Sequence, residues 1–83
     1  MTAMREKISY MLYTFPTTSA AMAMESICAG EGIPGRLVPV PSEVAAGCGY
    51  GWRMTKEEHE IYGSRIAELG LTFERIAEIR AWK

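Results

Sequence analysis

The chain has 83 residues, 48% of them hydrophobic and 23% charged, and its 9 basic and 10 acidic side chains leave a formal charge of −1. A chain this short buries roughly 60–65% of its unfolded surface, so its core is thin, its net stability is about 5–10 kcal/mol, and a stand-alone enzyme for a large substrate is disfavoured. The balanced charge offers no basic face to DNA or RNA. No run of about 20 apolar residues is present to span a membrane, and the N-terminus lacks the apolar core and cleavage site of a secretory signal. The expected location is the cytoplasm.

In chain order, Ile8–Phe15 (ISYMLYTF) reads as a strand, ended by Pro16. Thr17 or Thr18 then offers an N-cap to a helix, TSAAMAMESICAG, with Ala20, Met24, Ile27 and Cys28 as its apolar stripe. Gly30 and Gly32 stop it. Gly35–Pro41 is a second short strand, placed at a sheet edge because Pro39 has no N–H to donate. A loop runs from Ser42 to about Gly49, longer than the usual hairpin connection. "YGWRM" is a third strand, with Tyr50, Trp52 and Met54 on one face.

Thr55 and Glu58 form a capping-box pattern that opens a second helix. Ile61, Tyr62, Ile66 (or Arg65) and Leu69 form its apolar side, Gly63 weakens its middle by about 1 kcal/mol relative to Ala, and Gly70 ends it. The tail, LTFERIAEIRAW, suits either a helix or an alternating strand. A strand completes the split βαβ pattern and is favoured. Residues 1–83 are therefore read as one α+β domain with a ferredoxin-like βαββαβ fold, a four-stranded antiparallel sheet carrying both helices on one face. The first strand is apolar on both sides, Ile8, Tyr10 and Leu12 on one and Met11, Tyr13 and Phe15 on the other. Apolar surface on the open face predicts packing against a second copy, giving a homo-oligomer, or against a partner.

The loop carries the main chemical candidate. Cys48 stands between Gly47 and Gly49, whose freedom allows a sharp bend that bares the thiol. Only two cysteines are present, Cys28 and Cys48, too far apart in sequence for a CxxC pair, and the single histidine, His59, argues against a protein-only zinc site. Cys28 lies on a helix stripe and is read as core. For Cys48 two readings stand, reactive thiol and buried turn residue. An unperturbed thiol is ionised only to a few per cent at pH 7, so a source of positive potential is needed. Arg53 is roughly 16 Å away along an extended chain, too far to pair with Cys48 directly. The loop N–H groups are nearer. Arg53 instead meets Arg36 across the predicted hairpin, and such a pair repels unless an acid or a bound anion lies between them. His59 is read as a solvated helix residue and the methionines as packing.

Over Tyr10 to Arg80 the chain resembles the selenium/sulfur carrier-like family of small bacterial proteins. The resemblance is carried by "YTFPTTSAAMAMES", by "GIPGRLVPVPSEVAAGCGYGWRM" and by the later helix. The family's pattern corresponds here to Phe15, Glu25, Gly32-Ile33, Arg36-Leu37, Pro39 with Pro41, Glu43, Cys48-Gly49 and Arg53-Met54. One departure is Ser42, where the family pattern has an arginine. The resemblance implies a thiol carrier: Cys48 would hold sulfur or selenium as a persulfide or selenopersulfide. Glu43 would position the loop, and Arg36 or Arg53 would bind an anion or an acidic partner surface. The implied partners are a cysteine desulfurase-type donor and an acceptor protein, with no cofactor, in a carrier or sulfurtransferase accessory rather than a stand-alone enzyme. Two rival readings are a non-catalytic interaction or regulatory module using the open sheet face, and a small-ligand sensor using the arginine pair.

Overall fold

The computed structural model describes residues 7–41, 44 and 49–82. Six elements follow one another: β1 (Lys7–Thr14), α1 (Thr18–Glu31), β2 (Arg36–Pro39), β3 (Tyr50–Thr55), α2 (Lys56–Glu68) and β4 (Arg75–Trp82). The strands form one sheet in the order β2-β3-β1-β4, with every pairing antiparallel. This is a ferredoxin-like α+β arrangement. The ambiguous tail is a strand: Arg75–Trp82 pairs with β1 over eight residues, from Lys7↔Trp82 to Thr14↔Arg75. Pro39 lies on the edge strand β2, where its missing N–H leaves no gap in an interior ladder.

Alternation along the strands sorts the two faces. Tyr13 in β1, Phe15 just after it, and Trp52 and Met54 in β3 turn to the helices and are at most 2% exposed. Ala21, Met24 and Cys28 from α1 and Ile66 from α2 close the core over them. Burying each large apolar side chain contributes about 1.5–3 kcal/mol. The α1 stripe differs from the predicted one. Ala21 is fully buried, whereas Ile27 is 38% exposed. The Thr17 cap, whose side chain accepts from the Ala20 N–H, sets a phase that turns positions 21, 24 and 28 inward. In α2 likewise Ile61 lies outside at 71% exposure, and Ile66 carries the contact.

The helix ends follow the sequence closely. Thr55 accepts from Glu58 N–H at 3.0 Å and the Glu58 carboxylate accepts from Thr55 N–H at 2.9 Å, a complete capping box. Gly32 ends α1 at φ +72, with its N–H on the Ala29 and Cys28 carbonyls. Gly30, also expected to stop this helix, lies inside it. Arg65 ties the helices together through Glu31 at 2.9 Å. The pair is half exposed, so solvent screens it and it adds little to stability.

The helices do not cover the sheet evenly. α1 packs over β3 and β2, and α2 over β1 and β3. β4 extends beyond them, leaving Ile76 and Trp82 37% and 51% exposed on the helix side of the sheet. Among the described residues no helix is long and apolar enough to cross a membrane.

Candidate functional site

The loop joins β2 to β3, and its two ends meet where the Val40 N–H donates to the Gly49 carbonyl at 2.9 Å. Gly49 adopts φ +82, the left-handed region that favours glycine. It is exposed, and a Cβ there would meet no atom of the described residues within 4 Å. The chain therefore turns sharply immediately after position 48. Cys48 itself, with Glu43 and Gly47, lies outside the described residues, and so does the helical turn expected between Ser42 and Gly47. Of the predicted site residues the structure describes Gly49, Arg36 and Arg53.

Arg36 and Arg53 are register partners across β2 and β3. Their strand neighbours Leu37 and Trp52 turn to the core, so both arginines stand on the face opposite the helices. The Arg53 guanidinium lies 4.1 Å from the centre of the Tyr10 ring, a cation–π contact that fixes its direction. Among the described residues no carboxylate makes a salt bridge to either arginine. Two like charges facing one another on a sheet destabilise it unless something negative joins them.

The open face is more closed in the single chain than its apolar strand suggested. Tyr10 is 7% exposed and Leu12 fully buried. Gly51 explains part of this, since a Cβ there would stand 2.7 Å from Leu12 Cδ1. Leu12 fills the space that glycine leaves. What remains for a second copy on this face is half-buried Ile8, Val38 and Ile79.

Cys28 is fully buried and free. Desolvation, and secondarily the Glu31 carboxylate, push its thiol above the ordinary value. A protonated, enclosed thiol is a poor nucleophile, so the core assignment of Cys28 stands.

His59 is not a solvated helix residue. It is half-buried, and its Nδ1 lies 2.9 Å from the Tyr13 hydroxyl, with the rings edge to face at 5.7 Å. Tyr13 also meets Phe73 edge to face at 5.0 Å. The signal was present in the sequence: His59 precedes Tyr62 and Ile66 by three and seven residues, on the inward stripe of α2. A cleft of about 300 Å³ opens beside this pair, and a second of about 340 Å³ lies between α1 and the β2–β3 edge, lined by Glu25, Leu37 and Tyr50 among others. Among the described residues, no three His, Cys, Asp or Glu side chains converge in a way that could hold a metal ion.

Fold and loop together describe a small ferredoxin-like protein with its longest connection at one sheet edge. The family described as "Putative Se/S carrier protein-like" matches residues 10–78, and the chain belongs to it. No curated protein and no solved structure matches the chain. A carrier family implies working contacts with other proteins.

Proposed function

We propose that the protein is a sulfur or selenium carrier that holds its cargo on Cys48. The observation that carries this reading is the family membership joined to the state of Cys28: with that thiol sealed in the core, Cys48 is the cysteine left for the chemistry. The Cys48 thiolate attacks the terminal sulfur of a donor persulfide. The donor's S–S bond breaks, the donor thiolate leaves, and a Cys48 persulfide forms with no net oxidation. An acceptor nucleophile then takes the terminal atom and Cys48 leaves as thiolate. A selenopersulfide follows the same bookkeeping. Glu43 and Gly47 shape the loop in this reading, Gly49 supplies the bend, and a reducing cytoplasm keeps the thiol free.

Incubation with a cysteine desulfurase and cysteine should yield protein one sulfur atom heavier, about 32 Da, with the adduct on Cys48. Cys28→Ser should retain the adduct and Cys48→Ser should lose it. Iodoacetamide should alkylate Cys48 at pH 7 far faster than Cys28, because Cys28 is fully buried and its thiol is shifted upward. A Cys48 that takes no sulfur and resists alkylation overturns the carrier reading and leaves the interaction module in its place.

The arginine pair supports recognition of an acidic donor or acceptor surface. Its register puts two positive charges on one sheet face without a salt bridge among the described residues. Arg36→Gln with Arg53→Gln should slow sulfur transfer to Cys48 about tenfold at low ionic strength and flatten its salt dependence. Alkylation by uncharged iodoacetamide should not change. Equal slowing of both would show that the substitutions had disturbed the loop rather than partner binding.

A further inference from the structure

The cleft beside Tyr13 and His59 lies on the helix side of the sheet, and no role above uses it. α2 covers β1 and β3 and stops short of β4, so a gap opens between the helix and the start of that strand. Phe73 and Ile76 form one wall, and Ile66 and the Tyr13 ring form the floor. The opposite wall is α2 at Glu60, Gly63 and Ser64. Gly63 matters most there. Glycine in mid-helix costs about 1 kcal/mol relative to alanine. A Cβ at this position would meet the His59 ring at 3.5 Å, ordinary van der Waals contact, and φ is not in the left-handed region. The fold therefore has no steric need for glycine here, and the missing methyl group keeps the cleft open.

The polar groups at the cleft are few and have defined chemistry. With Nδ1 of His59 taken by the Tyr13 hydroxyl, Nε2 is the ring nitrogen left for a ligand. Ser64 adds a hydroxyl at the rim. Among the described lining residues Glu60 is the one carboxylate and none is Lys or Arg. Arg65, the nearest cation on the same helix by sequence, is engaged with Glu31 at 2.9 Å and Glu68 at 3.3 Å, and Lys56 with Glu78 at 3.7 Å. Apolar and aromatic walls with a single acidic rim group suit a cation with an apolar body.

We propose that this cleft binds a small organic ammonium compound, its apolar body against Phe73, Ile76 and Tyr13 and its ammonium on Glu60 with Ser64. The site is separate from Cys48 chemistry and does not depend on it.

Amide spectra of the full chain titrated with benzylamine provide the test, with benzyl alcohol and benzoate as probes of similar shape. Benzylamine should give saturable shifts at Gly63, Ser64, Phe73 and Ile76 with a Kd on the order of 1 mM, as expected for so small a ligand. Benzyl alcohol should bind about fivefold more weakly, and benzoate should not saturate. Glu60→Gln, on an exposed side chain, should abolish the difference between amine and alcohol. Gly63→Ala should raise thermal stability while weakening benzylamine at least about fivefold, a combination that separates cleft filling from misfolding. The proposal is overturned if no saturable shifts occur at these residues, if all three probes bind alike, or if Gly63→Ala binds benzylamine as the parent does.

Discussion

Gly35→Ala should destabilise the protein by about 3–5 kcal/mol, a large share of the stability available to a domain of this size. Two independent causes act at one position. Gly35 joins α1 to β2 at φ +141, where L side chains rarely sit, and strain of this kind costs of order 1–3 kcal/mol. A methyl group there would also stand 2.6 Å from Trp52 Cζ2, 2.7 Å from Cε2 and 2.8 Å from Nε1. Trp52 is 2% exposed and packed in the core, so the indole has nowhere to retreat. Among the described residues its buried Nε1 has no hydrogen-bond partner. At roughly 4–8 °C per kcal/mol, Tm should fall by about 15–30 °C. Gly30→Ala is the control. It lies inside α1 with nothing within 4 Å of the new methyl, and should leave Tm unchanged or raise it. Adding Trp52→Leu to Gly35→Ala should relieve the overlap but not the backbone strain. A Gly35→Ala protein as stable as the parent would mean that the connection does not rest on Trp52.

Gly35 also marks where the sequence stops being informative. The Thr55–Glu58 cap, the edge position of Pro39 and the shared face of Trp52 and Met54 were legible because each depends on neighbours within a few residues. The Arg36–Arg53 pairing was legible for a related reason, since two adjacent antiparallel strands constrain each other's register. The contact of Gly35 with Trp52 depends on the direction in which an indole lies, which no local pattern encodes. The Tyr13–His59 bond joins residues 46 apart. Burial of Tyr10 and Leu12 depends in part on Arg53 and Gly51 of a neighbouring strand, and the apolar pattern of β1 alone could not reveal it. The candidate site divides along the same line. Its arginines sit on regular strands and were placed correctly relative to each other. Cys48 and Glu43 belong to a loop whose role here rests on family membership and on the exclusion of Cys28.

Raising the pH from 10 to 12 should remove roughly 2 kcal/mol of stability through Tyr13 alone. Burial, and secondarily the neighbouring Cys28 thiol, raise the Tyr13 hydroxyl from 10.0 to about 12. The unfolded chain therefore loses this proton before the folded protein does. The stabilisation is fully present below pH 10 and is lost progressively as the pH rises through the folded value. Cys28 acts in the same sense, since its thiol is also raised by burial. Both groups sit in the core that supports the sheet, so ionising either places a charge under the helices. Urea titrations at intervals between pH 8 and about 12.5 should show a falling midpoint with a steep section above pH 10. Tyr13→Phe keeps the ring packing and removes the titrating group. It should cost about 1 kcal/mol at pH 7 through loss of the bond to His59, yet show a shallower alkaline decline than the parent. Parallel curves for the two proteins would assign the alkaline loss to Cys28 and other groups and take Tyr13 out of the account. A curve for Tyr13→Phe that crosses above the parent would show that the buried hydroxyl is an alkaline liability.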